Sequence, residues 1–229
     1  MDGMLFIDKP KGWTSFDVVG KVRRVVAESL GKKSKQVKVG HCGTLDPLAT
    51  GLLILLVGKY TKLAPKLSKL DKTYVFSIRL GVVSTTGDEE GTKKHCSSKR
   101  PTLREIDHML AQFRGEIRQV PPSYSAIKIN GQRAYKLARA GQPVDIKPRT
   151  INILDLRRTK YRYPELELVA EVSSGTYIRS LAEDMGKFLG CGGYVSRLRR
   201  VKIDRYNVDN AISPETLTSE YIYDNLRSF

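Results

Sequence analysis

Cysteine is scarce in this chain and scattered: Cys42, Cys96 and Cys191 form no Cys-x-x-Cys pair. That spacing argues against a disulfide framework and fits a reducing compartment. Long apolar runs are missing as well, since the longest, LLILLV at 52–57, falls far short of the roughly 20 residues that cross a bilayer. The N-terminal stretch MDGMLFIDKP carries Asp2 and Asp8 where a signal peptide would begin basic and continue apolar. The expectation is a cytoplasmic protein with no membrane partner. Histidine is limited to three residues. His41-Cys42 and His95-Cys96 are adjacent doublets, whereas zinc ligands come in pairs about two to four residues apart, so no metal is expected.

Nucleotide and triad signatures are absent too. Six residues separate Gly51 from Gly58-Lys59, where a phosphate-binding loop has about four, and Tyr60 stands where that loop needs Ser or Thr. The dinucleotide fingerprint and the serine elbow are missing, and the histidines lack a fitting Ser or Cys partner. Acid is short against base: 24 Asp and Glu face 40 Lys and Arg, giving a net charge of +16 and a pI near 9.8. Such a mean field draws polyanions, of which nucleic acid is the commonest. The 229 residues, 40% of them hydrophobic, suffice for one large domain or two small ones with a proper core.

Along the chain, Leu5–Ile7 reads as a strand, and Thr14 or Ser15 then caps a helix with Val18, Val19, Val22, Val25 and Val26 on one face. GKKSKQVK at 31–38 is a basic loop, and LLILLV between Gly51 and Gly58 is a buried strand, too short for a typical helix. KTYVFSIRLGVV at 72–83 is a further strand, followed by the polar loop STTGDEEGTKK. Thr102 and Glu105 form a capping box for a helix with Leu103, Ile106, Met109, Leu110 and Phe113 inward. Asn130-Gly131 is a hairpin-type turn before a short helix ending at Gly141. TINILDLRRTKY and PELELVAEVSS make an antiparallel pair, a helix runs from about Tyr177 to Leu189, and Ser213-Pro214-Glu215 starts the last helix. With no repeat and no low-complexity linker, the fold class is α+β with a largely antiparallel sheet.

One acid stands out. Asp46, in GHCGTLDPLATGLL, precedes a proline amid small residues in a basic chain. Asp before Pro readily starts a turn, which accounts for it without chemistry. The functional alternative is a carboxylate kept ionised by a guanidinium and available as nucleophile or base. SSGTYIRSLAEDMG at 173–186 supplies a candidate partner in Arg179, which equally well pairs with Glu183 along the helix surface. Tyr74, in DKTYVF, reads equally as ordinary strand packing.

GHCGTLDPLATGLL, DKTYVF, PPSYSAIKINGQRAYKLARAG, SSGTYIRSLAEDMG and GCGGYVSRLRR stand in the order found in the TruB-type tRNA pseudouridine synthases, which isomerise uridine 55 of the T loop. The chain resembles that family from LFIDKPKGWTS to about Asn210. The resemblance implies the pseudouridine synthase fold, a mixed, mostly antiparallel central sheet flanked by helices with a basic cleft. It implies Asp46 as the catalytic aspartate, Tyr74 stacking on the target base and Arg179 pairing with Asp46. His41 would touch the T loop, Lys9 would lie near the same cleft, and Tyr177 and Leu198 would line the pocket. Asp88 and Arg199 complete the expected RNA-binding set. The implied partner is the tRNA T-arm, acted on by a monomer with no cofactor, because the departing uracil rejoins through carbon without an outside donor. GKKSKQVK and RLRRVK are candidate phosphate contacts, or simply solvated faces.

Two departures from the family pattern are visible. Ser84-Thr85-Thr86 stands for the usual Thr-Asp-Thr, although Asp88 and Gly91 still fit, and Cys42 replaces a small Thr or Ala. Residues 1–210 are read as the catalytic domain and 211–229 as a helical tail, too short for the complete RNA-binding domain that many relatives carry there. Two other functions stay open: a guide-RNA-dependent synthase, and a non-catalytic tRNA-binding or folding factor.

Overall fold

The computed structural model describes residues 1–129 and 131–227. Two compact units divide them: Met1–Tyr74 together with the segment from Leu198 onward, and Val75–Arg197. The chain runs through β1 (Gly3–Lys9), α1 (Ser15–Ser29), β2 (Val39–His41), β3 (Thr50–Val57), α2 (Ala64–Leu67) and β4 (Lys72–Leu80). It continues with β5 (Val82–Ser84), β6 (Lys93–His95), α3 (Leu103–Gln112), β7 (Gly115–Gln119), β8 (Lys128–Ile129), β9 (Gln132–Arg133) and α4 (Ala134–Arg139). The long β10 (Arg149–Arg162) and β11 (Glu165–Val172) precede α5 (Ile178–Phe188), β12 (Gly193–Ile203), β13 (Tyr206–Asn207) and α6 (Ser219–Asn225). None of these helices is long and apolar enough to cross a membrane.

In the first unit β1 and β3 pair antiparallel along their length, from Gly3↔Val57 to Lys9↔Gly51. β2 lies antiparallel to β3, and β12 joins β3 in parallel at Arg199↔Thr50 and Arg200↔Gly51. The unbroken aliphatic run of β3 follows from burial on both faces, because alternate side chains point to opposite sides. Leu53, Leu55 and Val57 pack with Leu5 and Ile7 against the α1 valines, while Leu52, Ile54 and Leu56 pack with Met4 and Phe6 against Leu67 and Ile203. Each such aliphatic contributes about 1.5–3 kcal/mol through burial. α1 begins at a full capping box, in which the Thr14 hydroxyl accepts from Asp17 N and the Asp17 carboxylate accepts from Thr14 N at 2.7 Å.

The last helix starts later than expected. Ser213 instead makes a turn, its hydroxyl accepting Glu215 N and its carbonyl accepting the Thr216 hydroxyl. The helix begins at Ser219, where the Thr218 hydroxyl caps Tyr221 N and Ile222 reaches the α1 core.

In the second unit the strand order is β12-β4-β11-β10-β7. β10 and β11 pair antiparallel from Ile153↔Val172 to Arg162↔Glu165, as expected, and β7 adds antiparallel to β10. β11 buries every second residue, namely Leu166, Leu168, Ala170 and Val172. Parallel β3–β12 pairing among otherwise mostly antiparallel strands, with helices alongside, is the mixed α+β arrangement expected.

Local readings differ in α3 and in the segment after β4. Leu103 is exposed rather than inward, and Phe113 is half-buried. A helical side chain leans toward the N-terminus, so the first residue of α3 projects past the surface its stripe covers. The polar stretch after β4 is not all loop: its ends pair as the hairpin β5–β6, from Val82↔His95 to Ser84↔Lys93. Lys93, Lys94 and His95 are all exposed, so no apolar alternation marks that strand. Of the expected turn at 130–131, Asn130 lies outside the described residues, and Gly131 adopts a positive φ of 83°.

Candidate active site

Asp46 lies in the loop between β2 and β3. Leu45 and Leu48 anchor that loop in the core and leave Asp46 half-buried between them. Ala49 N donates to Asp46 O at 3.0 Å, so the residue does sit in a turn. The turn is pinned from three directions. The Ser15 hydroxyl accepts from Leu45 N at 2.9 Å and donates to Leu45 O at 3.1 Å, and Gly12 N donates to Pro47 O at 2.8 Å. Lys9, fully buried, donates from Nζ to the carbonyls of Pro10 (2.9 Å), Trp13 (2.6 Å) and Pro47 (3.4 Å). Expected among the RNA contacts, Lys9 instead braces the loop that carries Asp46.

Arg200 is a second internal brace. It is buried, with Nε donating to Leu52 O at 2.8 Å and a terminal nitrogen donating to Gly43 O at 3.0 Å. Gly51 lets β12 approach: its φ is +102°, and a Cβ there would stand 2.2 Å from the Arg200 carbonyl oxygen. RLRRVK is therefore not one basic face. Arg197 and Lys202 are exposed, and Arg199 makes a two-pronged bond to Asp8 at 2.9 and 2.7 Å.

Tyr74 is buried on β4. Two residues earlier Lys72 is also buried, donating to Ser68 O and Leu70 O, and burial followed by the Arg200 charge brings its amine down to about 8. Burial pushes the Cys42 thiol up to about 11, which keeps it a neutral thiol. His41 closes β2 and meets the Phe16 ring edge-on at 5.6 Å. Burial first, and Arg200 second, hold its imidazole below the usual value, so it is neutral at pH 7. Leu198 is buried, with its carbonyl 3.4 Å from the Thr50 hydroxyl.

The second unit holds the other expected residues. Arg179, in the first turn of α5, is buried rather than paired on the helix surface. Its guanidinium donates to Thr86 O at 3.0 Å and Tyr124 O at 2.8 Å, and stands 3.6 Å from the Asp88 carboxylate. Asp88 is only 2% exposed and accepts from the Thr86 hydroxyl and Glu90 N, so it acts as a buried brace of Arg179. Tyr177 caps α5 through a reciprocal clamp, with its N–H donating to Gln119 Oε1 at 2.8 Å and Gln119 Nε2 donating to its carbonyl at 3.0 Å. The Arg149 guanidinium lies over the Tyr177 ring at 4.9 Å and donates to the Gly175 carbonyl.

In the first unit Ser15 and Arg200 brace the segment around Asp46 and Lys72 is an internal cation on β4, and in the second unit Gln119 holds Tyr177. Ser15 and Gln119 carried no signal, since each bonds a backbone far along the chain. Lys72 and Arg200 had one that misled, because charge in sequence reads as surface.

Residues 31–178 match the family model for TruB family pseudouridylate synthase (N terminal domain), and residues 179–228 match that for the tRNA pseudouridylate synthase B C-terminal domain. The tRNA pseudouridine synthase B of Aquifex aeolicus (strain VF5) is 46% identical over 221 residues, covering 96% of this chain and 74% of that protein. The enzyme of the same name from Endomicrobium trichonymphae is 44% identical over 213 residues, covering 93% of this chain and 89% of that one. Among solved structures, a Cbf5-Nop10-Gar1 complex contains a chain similar to this one, with a TM-score of 0.72 and 26% identity over 97% of the present chain. This chain spans 55% of the length of that one.

Proposed function

The chain belongs to the TruB family of pseudouridylate synthases, and from that premise we propose that it isomerises uridine to pseudouridine in tRNA, at uridine 55 of the T-arm, as a monomer. Asp46 is the reacting carboxylate, with Tyr74 and Arg179 completing the catalytic set. The observation that supports this most is the pinning of Asp46: a half-buried acid in a turn held by Ser15, Gly12 and a fully buried lysine. A turn needed only for connection would not require a buried ammonium beneath it.

A stacked uridine must be everted before a carboxylate can reach its sugar, at a cost of a few kcal/mol that ring stacking partly offsets. Tyr74 is the ring assigned to the target base. Asp46 then either attacks C1′ or removes the C2′ proton. Uracil leaves with the N1 electron pair, rotates and rejoins C1′ through C5, as the Asp46–C1′ bond breaks in the first route or the C2′ proton returns in the second; C5 then loses its proton and N1 takes one up. No electron or group enters from outside, so the reaction proposed uses neither cofactor nor metal. His41 acts through its ring, since its imidazole is neutral at pH 7. Tyr177 and Leu198 line the base pocket. Arg199, with Asp8 neutralising much of its charge, and the buried Asp88 and Lys9 are assigned to holding the site in shape.

The guide-RNA-dependent reading draws on the Cbf5 likeness at 26% identity, whereas relatives at 43–46% carry the tRNA name. One experiment decides. Pure protein is incubated with an unmodified tRNA transcript and a chelator, and pseudouridine is mapped. Conversion in the T loop is expected, and Asp46→Asn should lower turnover by roughly 10²–10⁴-fold or more while tRNA still binds. Retained turnover in Asp46→Asn overturns the mechanism, and conversion only with added guide RNA overturns the substrate.

A further inference from the structure

Phe16 leaves 71% of its surface in solvent, more than any other large hydrophobic residue described. It stands in the first turn of α1, whose Ser15, Val18 and Val19 turn inward. Its ring meets the half-buried His41 edge-on, so one neighbour already fixes its orientation. Gly20 follows four residues later, one turn on and on the same face. A Cβ at Gly20 would meet nothing within 4 Å. Glycine in a helix interior is less stable than alanine, and here space does not demand it. Its effect is to leave the ring uncovered.

Around the ring lies an open depression lined by Trp13, Phe16, Asp17, Gly20, Lys21 and Arg24. The Asp17 carboxylate is occupied by the capping box, accepting from both Thr14 N and the Thr14 hydroxyl at 2.7 Å. Arg24 reaches Glu28 only at 4.0 Å, with both side chains more than 60% exposed, so its charge stays available. An open aromatic face flanked by a lysine and an arginine on a chain of net charge +16 suits an unpaired nucleobase with its phosphates.

We propose that Phe16 is a stacking platform for an unpaired base of the bound RNA outside the reacting position, with Lys21 and Arg24 on the adjoining phosphates. The inference rests on the tRNA reading above and adds a subsite to it. Stacking on a ring tolerates any base, so this subsite adds affinity and positions the RNA next to His41 rather than choosing a sequence.

Trp13 is the single tryptophan and lines the same depression, so its fluorescence reports occupancy directly. Titrating the wild-type chain with an unmodified tRNA transcript should quench it. Phe16→Ala should weaken binding roughly 5- to 100-fold, Phe16→Tyr should restore it to within about threefold, and Phe16→Leu should not. Gly20→Leu places a side chain over the ring: it should raise the melting temperature and yet weaken binding several-fold. Opposite signs of stability and affinity are not what a merely structural role would produce. Wild-type conversion of the transcript with undiminished affinity in Phe16→Ala, or with Phe16→Leu equal to wild type, sinks this inference alone. A wild-type chain that neither binds nor converts the transcript sinks both readings.

Discussion

A buried lysine titrates differently from a solvated one, and Lys72 shows how. Its folded value is about 8 against an ordinary 10.5, with burial the largest cause and Arg200 the next. Below about pH 8 both the folded and unfolded chains carry the proton, and the fold bears the cost of an enclosed ammonium. Between about 8 and 10.5 the native amine is neutral while the unfolded chain still binds a proton, so stability rises with pH across that window. Urea midpoints at pH 7.5 and 10 should show wild type gaining about 2–3 kcal/mol over Lys72→Met. An unchanging gap between the two proteins would refute the shift. Lys9 makes a second case at this scale. Lys9→Met should cost about 2–5 kcal/mol in thermal or urea unfolding, because Pro10 O and Trp13 O lose a donor and Pro47 O keeps only Gly12 N, and turnover should fall with it as the Asp46 loop loosens. Asp46, Tyr74 and Arg179 are singled out by their motifs, and turnover of Asp46→Asn tests the first of them. That Lys9, Asp88 and Arg200 are internal was not legible, since a charge in a sequence carries no record of its surroundings.

Two glycines in helices separate local propensity from packing. Gly20 on α1 faces open space, so Gly20→Ala should stabilise by about 0.5–1 kcal/mol. Gly186 on α5 faces the turn into β12, where a Cβ would lie 2.4 Å from both Gly192 C and Gly193 N. Gly186→Ala should therefore destabilise by about 1–3 kcal/mol despite the better helix propensity of alanine. Thermal melts of the two variants settle the sign. Elements bounded by local chemistry were readable in advance: the capping boxes at Thr14 and Thr102, the twofold alternation of β11, the aliphatic run of β3. β6 was not, because three exposed polar residues form a strand only through the partner opposite them. Ser213-Pro214 offers the same local start as a helix cap but makes a turn, and α6 begins only at Ser219.

For the molecule as a whole, an excess of sixteen positive charges predicts salt-sensitive RNA binding. Only charges free to meet phosphate count toward the slope. Replacing exposed Arg197 and Lys202 together by Gln should lower the slope of log affinity against log salt by about 1–2, at roughly 0.7–0.9 for each phosphate no longer neutralised. Arg200→Met should leave that slope alone and unfold the chain more easily, since Gly43 O and Leu52 O lose their donor. Filter binding across a salt series, with melting curves on the same samples, checks both. The sequence by itself determined the α+β class, the family, the placement of Asp46 before a proline and the overall basic field, because these depend on residue order, short-range periodicity and summed charge. Tertiary structure alone decided which cations face water and which brace the interior, that Asp88 stands 3.6 Å from the Arg179 guanidinium, and that Phe16 lies bare. Burial and hydrogen-bond partners come from residues far apart in the chain, and no local pattern encodes them.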